Sequence, residues 1–116
     1  MKKIIHVDNS QFFRKQMKIF LESEGFEVES YDSALEASFA IGGGLADMVI
    51  MGLAFAGIDG EVFLKRAVQS FDGPIIVVSS STDERITNQL LSLGARAALS
   101  KLGSWKQELK PYLSAL

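Results

Sequence analysis

Short apolar runs rich in β-branched residues recur along the chain and predict strands. Four of them span residues 4–7, 48–51, 75–78 and the weaker 97–99. A continuous apolar run indicates a strand that is covered on both faces, as in a parallel sheet between helices. Residues 27–31 instead alternate polar and apolar side chains, which favours an edge strand. The pattern therefore predicts a sheet of five strands.

The segments between these runs carry apolar residues at helical spacing and predict five helices. Ser10 and Ser33 are predicted to cap the first two helices, and Gly25 and Gly94 to end the first and the fourth. Pro111 lies inside the fifth pattern, so we expect a kink or a restart near Lys110. The predicted apolar faces are Phe13, Met17, Phe20 and Leu21; Leu35, Phe39 and Ile41; Val62, Phe63, Ala67 and Phe71; Ile86, Leu90, Leu91 and Leu93; and Trp105, Leu109, Tyr112, Leu113 and Leu116.

Strict alternation of strands and helices predicts an α/β fold, a (βα)5 three-layer sandwich around a parallel sheet. Right-handed crossovers leave few topologies, of which the strand order 2-1-3-4-5 is common. Ligands of such sheets bind at the carboxyl ends of the strands. The segments predicted there are residues 8–10, 52–60, 79–82 and 100–102.

Composition narrows the classes of function. The chain has 116 residues, of which 47% are hydrophobic and 22% charged, so we expect one folded domain over residues 1–116. Its formal net charge of −2 gives no basic excess for nucleic acid, and the absence of cysteine excludes disulfides and thiolate metal sites. No apolar run is long enough for a membrane helix. We expect a cytoplasmic protein in which His6, inside the first strand, is a core residue.

The loop residues at the functional edge carry a resemblance to a known family. Asp8 and Asn9 follow the first strand, Ser79 ends the fourth, and Lys101 follows the fifth. With these residues the chain resembles, over essentially its whole length, a response regulator receiver domain of the chemotaxis-regulator type. The resemblance implies a flavodoxin-like fold and a role in two-component signalling. It does not imply an enzyme.

The resemblance also implies a phosphorylation site that this chain carries only in part. In the family, an aspartate at the end of strand three accepts a phosphoryl group, and two acids after strand one help to hold magnesium. The acceptor position is Gly52 here, and the second acid is Asn9. The aromatic switch position on strand five is Ala98. We therefore expect a pseudo-receiver that keeps Asp8 and Asn9 only as a vestigial metal site, with no cofactor and very weak magnesium binding.

Two further expectations concern Lys101. Asp8 is the only acid that we can place in its pocket, so we expect an ion pair between them. The family has a proline after this lysine, commonly with a cis bond, whereas this chain has Leu102. A cis bond before a residue other than proline is costly, so we expect a trans bond.

The face formed by the fourth helix, the fifth strand and the fifth helix often contacts partners in the family. Here it would display Arg96, Trp105 and Tyr112. We expect protein partners, such as a kinase or an output protein of a signalling pathway, and homodimerisation stays open. Two alternatives also stay open: a phosphorelay protein with a substitute acceptor (Ser79, Ser80 or Asp59), and a dimerising regulatory domain from a larger protein.

Overall fold

A computed structural model describes residues 1–116 and contains seven strands and five helices. The strands are β1 (Lys3–Val7), β2 (Glu27–Tyr31), β3 (Met48–Met51), β4 (Ala54–Phe55), β5 (Ile58–Asp59), β6 (Ile75–Ser79) and β7 (Ala97–Ser100). The helices are α1 (Gln11–Ser23), α2 (Ala34–Gly42), α3 (Gly60–Ser70), α4 (Glu84–Ser92) and α5 (Trp105–Ser114).

Five strands form one parallel sheet in the order β2-β1-β3-β6-β7. Numbered along the chain without the two short strands, this is the order 2-1-3-4-5, so the predicted fold is confirmed. Side chains that alternate along the central strands bury into two different cores. Helices α1 and α5 cover one face, where Ile4, Met48, Ile50 and Trp105 are buried, and α2, α3 and α4 cover the other.

The two short strands β4 and β5 form an antiparallel hairpin after β3 that the sequence analysis did not predict. Gly57 supplies the turn with a φ of +78°, a conformation that glycine adopts without steric cost. Phe55 packs edge-on against Phe63 of α3, with ring centroids 5.4 Å apart. The hairpin thus anchors the loop between β3 and α3, and its strands were too short to show a periodic pattern.

The predicted apolar face of α2 is wrong at two of its three residues. Leu35 and Phe39 are 69% and 76% exposed, whereas Ile41 is buried as predicted, together with Ala34 and Ala37. The helix carries apolar residues around most of its circumference, and the sheet can cover only one side. The small side chains of Ala34 and Ala37 let the backbone lie close to the sheet, which leaves the two large side chains on the outer surface.

Of the predicted kink or restart near Lys110, the restart is wrong. Helix α5 runs without interruption through Pro111. Pro111 and Gln107, whose carbonyl the proline leaves without an N–H donor, are both exposed, so water can solvate that carbonyl. Leu109 and Leu113 are buried on the inner side. Packing of this inner face holds the helical path across the proline.

None of the five helices is long and apolar enough to cross a lipid bilayer.

Candidate functional site

The candidate site lies where the central parallel strands end. Asp8 directly follows β1, Gly52 directly follows β3, and Lys101 directly follows β7. Backbone hydrogen bonds continue the sheet ladder into these positions: the Gly52 N–H donates to the Val7 carbonyl, and the Lys101 N–H donates to the Ser79 carbonyl, each at 2.9 Å. The carboxyl edge of the sheet therefore fixes the backbone of the site and brings three of the predicted residues together.

Asp8 and Lys101 form the predicted ion pair. Lys101 Nζ lies 2.9 Å from Asp8 Oδ2 and donates a hydrogen bond of 3.1 Å to Asp8 Oδ1. The Asp8 side chain is 1% exposed and that of Lys101 is 20% exposed. A carboxylate that is almost fully buried requires such a partner, because an unpaired charge in the interior is strongly disfavoured. The peptide bond between Lys101 and Leu102 is trans, as predicted.

The first turn of α1 completes the surroundings of the ion pair. The Ser10 N–H donates to Asp8 Oδ1 at 2.8 Å, and Arg14 Nη1 donates to the Asp8 main-chain carbonyl at 2.6 Å. Lys101 Nζ also lies 4.5 Å from the centroid of the Phe13 ring, which gives a cation–π contact. The sequence analysis predicted Ser10 as a helix cap, and Ser10 Oγ does accept from the Phe13 N–H at 3.2 Å.

Phe13 and Arg14 are the two residues of the site that the sequence analysis missed. Phe13 was assigned to the apolar face of the first helix, and Arg14 was not singled out. The available signal was positional, because a helix separated from the preceding strand by only three residues places its first turn beside the end of that strand. The result is one residue with two cationic neighbours: Lys101 pairs with the Asp8 carboxylate, and Arg14 binds the Asp8 main-chain carbonyl.

Gly52 lies directly against the carboxylate of Asp8. A Cβ atom on Gly52 would lie 2.7 Å from Asp8 Oδ2 and 3.3 Å from Asp8 Cγ. The first distance is shorter than a normal contact, so any side chain at position 52 would require the Asp8 carboxylate to move. The space beside the end of β3 is thus occupied by the carboxylate that pairs with Lys101.

The side chains of the remaining predicted positions make no hydrogen bond to this pair. Ser79 is 6% exposed, and its Oγ accepts from the Ser81 N–H at 3.2 Å. Asn9 is exposed, and its side chain makes no hydrogen bond. Ala98 is half-buried and packs against the core beneath α2, α3 and α4. Asp59 caps α3 by accepting from the Glu61 N–H at 2.8 Å.

The donor set does not fit a magnesium ion. Mg²⁺ favours carboxylate and water oxygens in an octahedral arrangement. Asp8 is the single carboxylate of the pocket, and the ammonium group of Lys101 already contacts it. No group of three or more His, Cys, Asp or Glu residues that could hold a metal ion occurs in the structure.

His6 is a core residue, as predicted, and it lies one residue before the end of β1. It is fully buried, and neither ring nitrogen has a hydrogen-bond partner. The ring packs edge-on against Phe13 at a centroid distance of 5.8 Å. Burial lowers the pKa of His6 to about 4, against an opposing contribution from the nearby Asp8 carboxylate. The imidazole is therefore neutral at physiological pH.

The predicted partner face requires a correction at Trp105. This side chain is 6% exposed and packs edge-on against Phe13 and Phe20 of α1, with centroid distances of 5.1 and 5.6 Å. It is therefore a core residue that joins α5 to α1. Arg96 is exposed and Tyr112 is half-buried, so only these two of the three predicted residues reach the surface.

Comparisons with known proteins agree on one family. The family model described as response regulator receiver domain matches residues 4–110. The protein-glutamate methylesterase/protein-glutamine glutaminase 1 of Cereibacter sphaeroides is 30% identical over 105 residues, which are 85% of this chain and 28% of that protein. The C4-dicarboxylate transport transcriptional regulatory protein DctD of Rhizobium meliloti is 32% identical over 96 residues, 82% of this chain and 21% of that protein. This chain thus spans less than a third of the length of either relative.

Solved structures show the same fold at lower sequence identity. A two-component response regulator from Clostridium difficile superposes with a TM-score of 0.89 at 20% identity, over 99% of this chain and 94% of that chain. Chemotaxis protein CheY4 of Vibrio cholerae superposes with a TM-score of 0.85 at 24% identity, over 100% of this chain and 99% of that chain.

Proposed function

This chain belongs to the response regulator receiver domain family, and from that premise we propose that residues 1–116 act as a two-component signalling module without aspartyl phosphorylation. In this proposal the module has no catalytic activity of its own. It transmits a signal through contacts with other proteins, such as a kinase or an output protein of its pathway.

One observation carries the proposal: the position after β3 is a glycine, and the Asp8 carboxylate fills the space beside it. Phosphoryl transfer to a carboxylate requires that carboxylate to be in line with the phosphorus, together with a divalent cation that balances the charge on the transferred oxygens. Gly52 supplies no nucleophile. The Asp8 carboxylate contacts the ammonium group of Lys101, and it does not form a cation site together with further acidic ligands.

The charge balance of the pocket supports the same proposal. A receiver site with three carboxylates needs a metal ion to relieve their mutual repulsion. In this chain Asp8 and Lys101 neutralise each other directly, and Asn9 adds no charge. The pocket is therefore stable without a ligand, and Ala98 offers no large side chain that could report a change in it.

The test is the intact mass of the chain after incubation with acetyl phosphate and magnesium. We expect no phosphorylated species. An Asn9→Asp/Gly52→Asp double variant, which restores both missing acids, is the matched control, and Gly52→Asp alone should be phosphorylated feebly at most. An active receiver domain from another protein verifies the reagent.

A phosphorylated adduct on the unmodified chain would contradict the proposal. Its position would then decide between the alternatives, because an adduct on Ser79, Ser80 or Asp59 indicates a substitute acceptor. A second readout is the amide chemical shifts with beryllofluoride and magnesium, which we expect to stay unchanged. Widespread shifts would show that the domain still responds to a phosphoryl analogue.

A further inference from the structure

Helix α2 has an outer apolar face that nothing in the chain covers. Leu35 and Phe39 are one helical turn apart on this face and are 69% and 76% exposed. Of the nine residues of α2, Glu36 is the only charged one, whereas α1 carries Arg14, Lys15, Lys18 and Glu22. A helix that is apolar on both sides is typical of an element buried on both sides.

A groove between α2 and α3 adjoins this face. Two depressions of about 240 and 350 Å³ share Leu35, Ser38 and Arg66 in their walls, so they form one continuous groove. Arg66 is exposed and takes part in none of the ion pairs of the structure, which join Lys3 to Glu27 and Glu29, and Lys101 to Asp8. The groove side of the apolar face therefore carries a free positive charge.

The opposite side of the same face carries a free negative charge. Successive residues of an α-helix are turned by about 100°. The order around the outer surface of α2 is thus Ser38 on the groove side, then Leu35, then Phe39, then Glu36. Glu36 is exposed and unpaired, and it lies near Tyr31 of the edge strand β2. The apolar ridge is flanked by Arg66 on one side and Glu36 on the other.

We propose that this face is the interface of a homodimer in which the α2 helices of two copies pack in parallel about a two-fold axis. In a two-fold interface, each residue pair occurs twice with the partners exchanged. When the two-fold axis is parallel to α2, Leu35 and Phe39 contact the same residues of the second copy. The groove side of one copy then faces the opposite side of the other. Arg66 of each copy then faces Glu36 of its partner.

The charges of Arg66 and Glu36 favour the parallel arrangement and favour a second copy of this chain as the partner. If the two α2 helices were antiparallel, each flank would face itself, which would bring Arg66 to Arg66 and Glu36 to Glu36. The parallel arrangement pairs both Arg66 and Glu36, because one acid and one base flank the ridge on each copy. The face is thus complementary to itself. The inference does not depend on how the Asp8 pocket functions, so the two proposals can fail independently.

The first test is sedimentation equilibrium of the full chain over a range of concentrations. We expect the weight-average mass to rise from the 12.7 kDa of one chain towards twice that value. Phe39→Ser should weaken dimerisation by about 100-fold or more, because a two-fold interface loses two buried phenyl rings. The matched control is Phe12→Ser on α1, which removes a ring of similar exposure (72%) on the other side of the sheet and should leave the dimer constant unchanged.

A mass that stays at 12.7 kDa at every concentration would overturn the proposal, as would equal effects of Phe39→Ser and Phe12→Ser. Far-UV circular dichroism of each variant verifies its fold. If Phe39→Ser is unfolded, Leu35→Ser removes the neighbouring side chain of the same ridge and serves in its place, with the same expected direction.

The second test addresses the parallel arrangement by exchanging charges. Glu36→Arg alone makes both flanks basic, and Arg66→Glu alone makes both acidic, so each variant should dimerise more weakly than the unmodified chain. This weakening tests the parallel arrangement, because in antiparallel packing each flank already faces itself and either exchange would only replace one like-charge pair with another. An equimolar mixture of the two variants should form heterodimers, because every acidic flank then faces a basic one. A mixture that associates no more strongly than its two components would show that the flanks do not face each other in this way.

Discussion

The buried imidazole of His6 makes the stability of the fold depend on pH in a predictable direction. The pKa of His6 is lowered to about 4 in the folded chain, because burial without a hydrogen-bond partner disfavours the charged ring. In the unfolded chain the ring titrates near the ordinary value of 6.5. The unfolded state therefore binds more protons than the folded state between these two values, so stability falls as the pH falls from 6.5 towards 4.

The magnitude follows from the difference between the two pKa values. A pKa lowered by about 2.5 corresponds to about 3.4 kcal/mol, which is lost in full only below the folded pKa. Between about pH 7.5 and about pH 5, the linkage relation gives a loss of about 2 kcal/mol from this residue. That is a large part of the stability of a small domain, which is on the order of 5–15 kcal/mol.

The assay is urea unfolding followed by the fluorescence of Trp105, which is the only tryptophan and is buried beside Phe13. The matched variant is His6→Leu, which is similar in volume and does not titrate. The two chains share every other ionisable group. The pH dependence of the difference between their free energies of unfolding therefore isolates the contribution of His6.

At about pH 7.5 we expect His6→Leu to be at least as stable as the unmodified chain, because leucine leaves no polar atom unpaired in the core. At about pH 5 its advantage should be larger by about 2 kcal/mol. Parallel pH profiles for the two chains would refute the reasoning, since they would mean that the imidazole accepts a proton in the folded state without penalty.

Three further substitutions are tested in the same urea titration. Gly52→Ala should cost about 1–3 kcal/mol, because its Cβ would lie 2.7 Å from Asp8 Oδ2, whereas Gly103→Ala, with no atom closer than 3.7 Å, is the control expected to be tolerated. Lys101→Met should lower the free energy of unfolding by about 2 kcal/mol, which is less than for a fully buried pair because Lys101 is 20% exposed. Adding Asp8→Asn should recover part of the loss. No recovery would mean that the two side chains act separately. Pro111→Ala should stabilise by about 1–2 kcal/mol by restoring a helical N–H, and an unchanged midpoint would contradict that explanation.

The fold was predictable from the sequence because its strands are continuous apolar runs between helical patterns. Residues 48–51 and 75–78 contain nothing but apolar side chains, and both segments are buried on both faces of the sheet. The strand order followed from the limited number of right-handed βα topologies. These are properties that short windows of sequence express directly.

The errors have a common physical origin: periodicity shows that apolar residues share a side, but does not show what covers that side. Leu35 and Phe39 are correctly spaced for a core face, yet the alanines beside them pack more closely on the sheet and displace them outwards. Trp105 was assigned to the apolar face of the fifth helix, which is correct, and also to a partner face, because its sequence position matches that surface in the family. Its partners are Phe13 and Phe20, which are far away along the chain.

The ion pair of the candidate site was predicted from the sequence, whereas the contacts of the neighbouring side chains were not. Asp8 and Lys101 were paired because they are the only opposite charges that follow β1 and β7. The contacts of Phe13 with the lysine and of Arg14 with the Asp8 carbonyl depend on side-chain directions in the first turn of α1. A helical pattern assigns such residues to a face of the helix, and it gives no measure of how far their side chains reach past the end of a neighbouring strand.

Under the proposed function, the ion pair also bears on where a signal would enter or leave this domain. Asp8 follows β1 and Lys101 follows β7, and in the sheet these strands are separated by β3 and β6. One contact therefore joins the ends of two strands that are not neighbours in the sheet. A change in the pocket would have to break that contact and expose a buried carboxylate, which is unfavourable without a replacement charge. Binding at the outer surfaces involves no such penalty, and the uncovered ridge of Leu35 and Phe39 is held by a helix whose inner face is already packed on the sheet. Under the proposed function, a domain built in this way would present a fixed surface to its partners, and its regulation would lie in whether the partner is present.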